Sequence, residues 1–268
     1  MRNNAERIRQ IDTDSHPQEN PLLNFVKPTN FVELPSKGKG YPDNHPLKNK
    51  EVIEIYQMTA KDEDILTSQS LLKKGIAIDR FIENIIVDKK IKIDSLLVCD
   101  KNAILLESRL LGYGPDYEME ITCPNCSKVS KKIYDLQEKK INFGKEELIS
   151  EDGLIDLKLP KSGVDVKLKL LTSKEESKII DSIIGENKQI NVSQQLLLMI
   201  HSANGVEDKN LINQFIDAMP IIDSLTIRSH YKSVTPNVDM TFDFKCESCG
   251  HEQELEVPLG AGFFWPKL

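Results

Sequence analysis

Four of the five cysteines in this 268-residue chain stand in two hooks, Cys123-Pro124-Asn125-Cys126 and Cys246-Glu247-Ser248-Cys249. Thiolates are soft ligands, and zinc takes four of them in a tetrahedron. One Cys-x-x-Cys supplies only two. Two hooks brought together make a closed site with no position left for water or substrate, so its role is structural. The spacing therefore predicts one shared zinc on Cys123, Cys126, Cys246 and Cys249, although the hooks lie far apart along the chain. His251 is close enough to substitute as a ligand but ranks below the four cysteines. A thioredoxin-like redox pair would open a helix after a buried strand, and neither hook does. The remaining alternative is a pair of metal-free hooks that merely pack. Gly250 suits the left-handed backbone expected after a metal knuckle, whereas Ser127 does not. Cys99, inside Ser95-Leu96-Leu97-Val98-Cys99, reads as a buried apolar residue.

The elements that must carry the hooks are legible from period-two patterns. Before the first hook, Tyr117, Met119 and Ile121 alternate with Glu118, Glu120 and Thr122. Before the second, Val238, Met240, Phe242 and Phe244 alternate with Asp239, Thr241 and Asp243. Both runs read as half-buried strands. Leu136 and Leu259 each lie ten residues past their hook, and Asp100 and Asp223 each lie 23 residues before one, where each could cap a helix. Upstream, Met58-Thr59-Ala60-Lys61-Asp62-Glu63 matches Leu171-Thr172-Ser173-Lys174-Glu175-Glu176. Each threonine with an acidic residue three later resembles a capping box, with Glu175 the better fit. The pattern reads as one unit written twice, the second copy carrying about ten extra residues around Ile184 to Asn210.

Composition narrows the function classes. Hydrophobic residues make up 39% and charged residues 29%, an ordinary soluble balance. The net charge of −7 argues against a protein whose main task is gripping phosphate backbone. No apolar signal stretch opens the chain and no run approaches a membrane span, so a secreted disulfide framework and a membrane anchor are not expected. The hooks' compartment is then a reducing cytoplasm.

In chain order, residues 1–30 read as a flexible arm. Phe25, Phe31 and Leu34 offer anchors, and Ser36 to Pro42 reads as a solvated turn rather than a phosphate-binding loop. Residues 51–57 form a strand, and helices are expected over 60–74, 76–87 and 102–111. Residues 137–153 read as a charged linker. A hairpin around Pro160 to Gly163 follows, then helices over 174–184, 193–203, 209–219 and 224–233.

No catalytic set emerges. None of His16, His45, His201, His230 and His251 belongs to a His-Glu-x-x-His motif, and no Gly-x-Ser-x-Gly occurs. His201 reads as a helix-end residue. Asp62-Glu63-Asp64 and Glu175-Glu176 lie in first helical turns, where they complement the helix dipole. The tail, with Phe263, Phe264 and the sole tryptophan Trp265, either packs on its own sheet or anchors another subunit.

Residues Phe31 to Ser36 with Gly40-Tyr41-Pro42, then Met58 to Ser68, Leu72 to Gly75 and Asp100 to Gly114, resemble the baseplate hub assembly proteins of T4-like tailed bacteriophages. The resemblance is specific over about residues 31–136. It implies non-catalytic work through contacts with other baseplate hub proteins, in the host cytoplasm during assembly or in the virion tail baseplate. No membrane, small-molecule substrate or nucleic acid is expected as a partner. Two alternatives compete. Lys128, Lys131 and Lys132 beside the first hook suggest a zinc-ribbon nucleic-acid-binding protein, although Glu247, Glu252, Glu254 and Glu256 flank the second. A peptidoglycan-degrading tail component would need two opposed carboxylates that the sequence does not single out. The expected fold is α+β: internally duplicated strand–helices–strand units, 31–140 and 141–268, joined by a four-cysteine zinc-ribbon-like β-region.

Overall fold

The structure is a computed structural model that describes residues 28–178, 191–257 and 263–264. The N-terminal residues as far as Phe25, and Ile184, Leu259 and Trp265, lie outside them. Within them helices and short antiparallel sheets mix around one contiguous apolar core.

β1 (Thr29–Glu33) pairs antiparallel with β2 (Val52–Tyr56). Val32, Ile53 and Ile55 face the core, while Phe31 points to solvent. The loop between these strands is not a solvated turn. Leu34, Ser36 and Tyr41 are buried in it. The cause lies 64 residues away, in Asp100. Its carboxylate accepts from the Ser36 amide (3.0 Å), the Ser36 hydroxyl (2.6 Å) and the Tyr41 hydroxyl (2.8 Å). A buried carboxylate with several donors holds a polar loop inside that would otherwise be lost to water. Burial pushes the Asp100 carboxyl up, and the donors pull against that.

Three helices follow: α1 (Ala60–Thr67), α2 (Gln69–Lys73) and α3 (Ala77–Ile85). The single helix expected over 60–74 breaks at Ser68, whose backbone is extended. The Thr67 hydroxyl turns back to the Glu63 carbonyl, and the Ser68 carbonyl accepts from Leu71 and Leu72 to start a new turn. Such local bonds compete with helix continuation. α3 turns Phe81, Ile82 and Ile85 into the core. α4 (Val98–Tyr113) begins four residues earlier than expected. Asp100 is its third residue, so its side chain anchors the distant loop and does not cap the helix. β3 (Asp116–Thr122) and β4 (Val129–Asp135) form a hairpin around the first hook, with Tyr117, Met119 and Ile121 buried as their alternation predicts.

Residues 137–153 are packed rather than a linker. β5 (Lys140–Asn142) pairs with β9 (Asn237–Asp239). Lys37 meets Glu146 at 2.7 Å, and the Gly40 amide donates to the Glu151 carbonyl. Gly40 and Gly153 touch backbone to backbone. A Cβ on Gly153 would lie 2.5 Å from the Gly40 Cα, so only glycine fits.

β6 (Leu154–Lys158) and β7 (Asp165–Lys169) make the expected hairpin, followed by helical residues 173–178 (α5) and α6 (Val192–Met199). The helix expected over 193–203 stops at Met199. Residues Ile200–Ala203 instead form β8, the third strand of the β6–β7 sheet, because β7 offers a free edge. His201 therefore sits in a strand, 3.5 Å from Glu207. α7 (Lys209–Asp217), α8 (Ile221–Val234), β10 (Thr241–Lys245) and β11 (Glu252–Glu256) complete the order.

The two halves carry matching local bonds. Asp62 Oδ2 accepts from the Thr59 amide and hydroxyl, and Glu175 Oε2 accepts from the same groups of Thr172. The first is a full capping box, and the second forms its acid-to-threonine half. Asp223 is the third residue of α8, as Asp100 is of α4, and it too is fully buried. It accepts from the Lys161 and Ser162 amides, in the hairpin turn after Pro160. Ser36 likewise follows Pro35. Burial opposes the Asp223 charge, but the amide donors outweigh it and hold its pKa below the usual carboxylate range.

Where the halves meet, Val98 N donates to the Leu171 carbonyl (2.9 Å) and Ser173 N to the Leu96 carbonyl (2.7 Å). This is a one-residue antiparallel bridge between Leu97 and Thr172. Buried Lys101 spans the same joint to Glu176 at 2.6 Å. At the far end of α4, Arg109 is buried with its guanidinium on the carbonyls of Phe263, Gly114 and Asp116. It ties down Phe263 and Phe264, which pack on Tyr117 and Phe81. This part of the tail therefore packs on its own chain.

Asp100→Ala strands the Ser36 and Tyr41 donors inside the protein, and it is expected to cost about 2–4 kcal/mol. Asp223→Ala strands fewer donors, the Lys161 and Ser162 amides, and destabilises less. The Asp223 contribution is complete above the unfolded carboxylate pKa and is lost as pH falls through the lower folded value. Urea unfolding of both variants across pH measures all three expectations.

Candidate metal centre

Each hook is the turn of a two-stranded hairpin, and the two turns are built alike. The Cys123 amide donates to the Lys128 carbonyl, and the Ser127 amide to the Cys123 carbonyl. In the second hook Cys246 donates to His251, and Gly250 to Cys246. All four distances are 2.9 Å. The chain leaves each turn through a left-handed residue, Ser127 at φ 57° and Gly250 at φ 69°. The reluctance expected of Ser127 is thus overridden by the hairpin, at a cost of roughly 1 kcal/mol.

The hairpins belong to separate two-stranded sheets and share no strand pairing. Side chains bring them together. Lys132 on β4 meets Glu247 in the second hook at 2.6 Å. Tyr134 and Phe242 approach with ring centroids 6.2 Å apart. The Asn125 amide donates to Cys249 Sγ at 3.6 Å.

All four sulfur atoms lie within 4.8 Å of one another, although Cys126 and Cys246 are 120 positions apart. The Cys123–Cys249 and Cys126–Cys246 pairs are each 3.7 Å apart, too far for disulfides. A tetrahedral zinc with Zn–S near 2.3 Å requires sulfur–sulfur separations of about 3.8 Å. Two of the separations match that value and all lie within about 1 Å of it, so the cluster is compatible with a metal ion. The first cysteine of each hook is buried, whereas Cys126 is half-buried and Cys249 exposed. His251 turns its ring toward Gln253, 3.3 Å away, and stays outside the group. Among the described residues, these four cysteines are the cluster able to hold a metal ion.

The electrostatics show what the cluster lacks on its own. The His251 amide and the Asn125 side chain pull the Cys249 thiol down to about 6. The Lys128 amide favours the Cys126 thiolate, but burial and the neighbouring thiols together push it up to about 11. One sulfur ionises readily and a second then resists, because like charges a few ångströms apart oppose each other. A divalent cation removes that conflict.

Among the described residues, the remaining sequence-level candidates assemble into no site. Cys99 is buried, with its thiol near Asp100. Burial and the adjacent Asp100 charge push that thiol well above its ordinary range, so it is inert rather than nucleophilic. Asp62 is buried in its capping box and also binds Asn84. The loop carboxylates Asp100 and Asp223 escaped the sequence reading as anchors. Their shared spacing from the hooks was the available signal. No helix among the described residues is long and apolar enough to cross a membrane.

No curated protein and no solved structure matches the chain. A family model described as T4 bacteriophage base plate protein matches residues 27–265, which take in both hooks, both anchoring carboxylates and nearly all of the described fold. The chain belongs to the T4 bacteriophage base plate protein family.

Proposed function

We propose that this chain is a non-catalytic structural or assembly protein of the phage tail baseplate hub, stiffened by one structural zinc on Cys123, Cys126, Cys246 and Cys249. The observation that carries the zinc reading is the gathering of four sulfurs at near-tetrahedral separations. When bound, the ion supplies positive charge and four strong bonds, and structural zinc in small domains contributes on the order of 10 kcal/mol of apparent folding free energy. The chain's own residues do the rest. The two turns present the thiols, Asn125 and the His251 amide favour the Cys249 thiolate, and Lys132 with Glu247 bridges the hairpins at the surface. Four thiolates fill the coordination sphere, so no position is open to a substrate.

The hub assignment is supported by family membership and by the motifs of residues 31–42, 58–75 and 100–114. The partners are then other baseplate hub proteins, met in the host cytoplasm during assembly and at the virion tail baseplate. We also read the chain as two copies of one unit, 31–140 and 141–268. Paired threonine–acid caps, paired buried carboxylates and paired hook turns support this. Lys132 is engaged by Glu247, which lessens the basic face that motivated a nucleic-acid reading.

Elemental analysis with native mass measurement should find one zinc per chain. Cys123→Ser and Cys246→Ser should each lose it and lower the thermal midpoint, and metal loading should release protons. A folded, reduced protein that takes up no zinc and is indifferent to chelators would contradict the metal reading. Co-expression with other hub proteins should yield a complex stable to gel filtration. Failure to bind any baseplate component would count against the hub assignment.

A further inference from the structure

One part of the joint between the two halves is a strand–helix junction laid against the start of a helix. Leu171-Thr172-Ser173, between β7 and α5, bridges to Leu96-Leu97-Val98 at the start of α4. Each half has both parts. The first half's junction is Met58-Thr59-Ala60, aligned by its capping box. The second half's helix start is Met219-Pro220-Ile221, aligned by Asp223 as the third helical residue. Met58 and Met219 turn their side chains to the core, but among the described residues neither segment forms such a bridge. Thr59 and Ala60 are exposed. Among the described residues, the Ile221 and Ala60 amides have no acceptor, and the Met58 and Met219 carbonyls accept from no donor. These four groups correspond to the donors and acceptors of the internal bridge.

The free helix start is also apolar. Ile221 is 79% exposed, Ile222 52% and Leu225 48%. They stand where Val98, Cys99 and Asn102 stand in α4. Lys101, which grips Glu176 in the internal joint, is replaced by Ser224. The free face thus depends on apolar burial, with hydrogen bonds setting the register. Three large apolar side chains side by side on one helix end mark an interaction surface rather than scattered exposure.

We propose that a second copy of this chain covers this face, laying its Met58-Thr59-Ala60 junction against Met219-Pro220-Ile221 and repeating the internal joint between molecules. The inference rests on reading the chain as two copies of one unit. In the assembled joint the Ile221 amide donates to the Met58 carbonyl of the second copy, and that copy's Ala60 amide donates to the Met219 carbonyl. Such a contact is head-to-tail. Each molecule uses one face to give and another to receive, so association continues until the arrangement closes or its ends are capped.

Two single variants of the full chain test this. Ala60→Pro deletes the amide that donates across the joint. It suits the fold, since proline is favoured at a first helical position and Thr59 before it is already extended. Ile221→Asp places a charge on the apolar face at an exposed site. Circular dichroism and urea midpoints confirm that both fold. Sedimentation velocity should show wild-type association rising with concentration, and each variant should weaken it by about tenfold or more. Mixing the two variants should restore a dimer and nothing larger, because one intact junction then meets one intact helix start. A wild type that stays monomeric at every concentration overturns the docking while leaving the two-copy reading intact. Association blocked by Ile221→Asp but not by Ala60→Pro also overturns it. That result would make the face an interface for a different occupant and deny the equivalence of the two units.

Discussion

Four sulfur atoms crowded within 4.8 Å are the constraint on which the architecture turns. They belong to two hairpins that share no backbone ladder, one ending at Asp135 and the other beginning at Thr241. Among the described residues, an ion pair, an aromatic contact and an amide hydrogen bond link the pair besides the sulfurs. Surface ion pairs of this kind are worth little. Ionised thiols at this distance repel, and neutral ones offer only weak hydrogen bonds. A cation among them would remove that repulsion.

Away from the hooks, the halves are organised by buried carboxylates rather than by extensive apolar sheets. Asp100 pulls the Ser36–Tyr41 loop onto α4, and that loop in turn supplies Gly40 to the contact with Gly153. Asp223 does the same for the hairpin turn after Pro160. A buried anion is costly unless its lone pairs are filled, so each fixes its loop in one arrangement. Arg109 solves the complementary problem. It is a buried cation answered by three backbone carbonyls, which places Phe263 and Phe264 over the core.

These devices suit a component of a large assembly. A one-residue bridge, loop anchors and a thiolate cluster fix orientations on top of one contiguous apolar core. They leave exposed the apolar start of α8 and the Thr59–Ala60 junction. A part built this way holds its shape while offering defined faces to neighbours.

Local chemistry was legible in the sequence. The spacing within each hook, the alternation of Tyr117, Met119 and Ile121, both Thr-x-x-acid caps and the Pro160–Gly163 hairpin turn are each set by residues a few positions apart. Their signals survive without knowledge of the fold. Tertiary structure decided the rest. The burial of Ser36 and Tyr41 depends on a carboxylate 64 and 59 positions away. β8 exists because β7 presents an unpaired edge, against a helical pattern that runs on past Met199. Residues 137–153 pack because β9 and the Lys37–Tyr41 loop receive them. In each case the deciding partner is distant in the chain, and a buried polar group chooses its conformation by the partner it can reach, which no local spacing records.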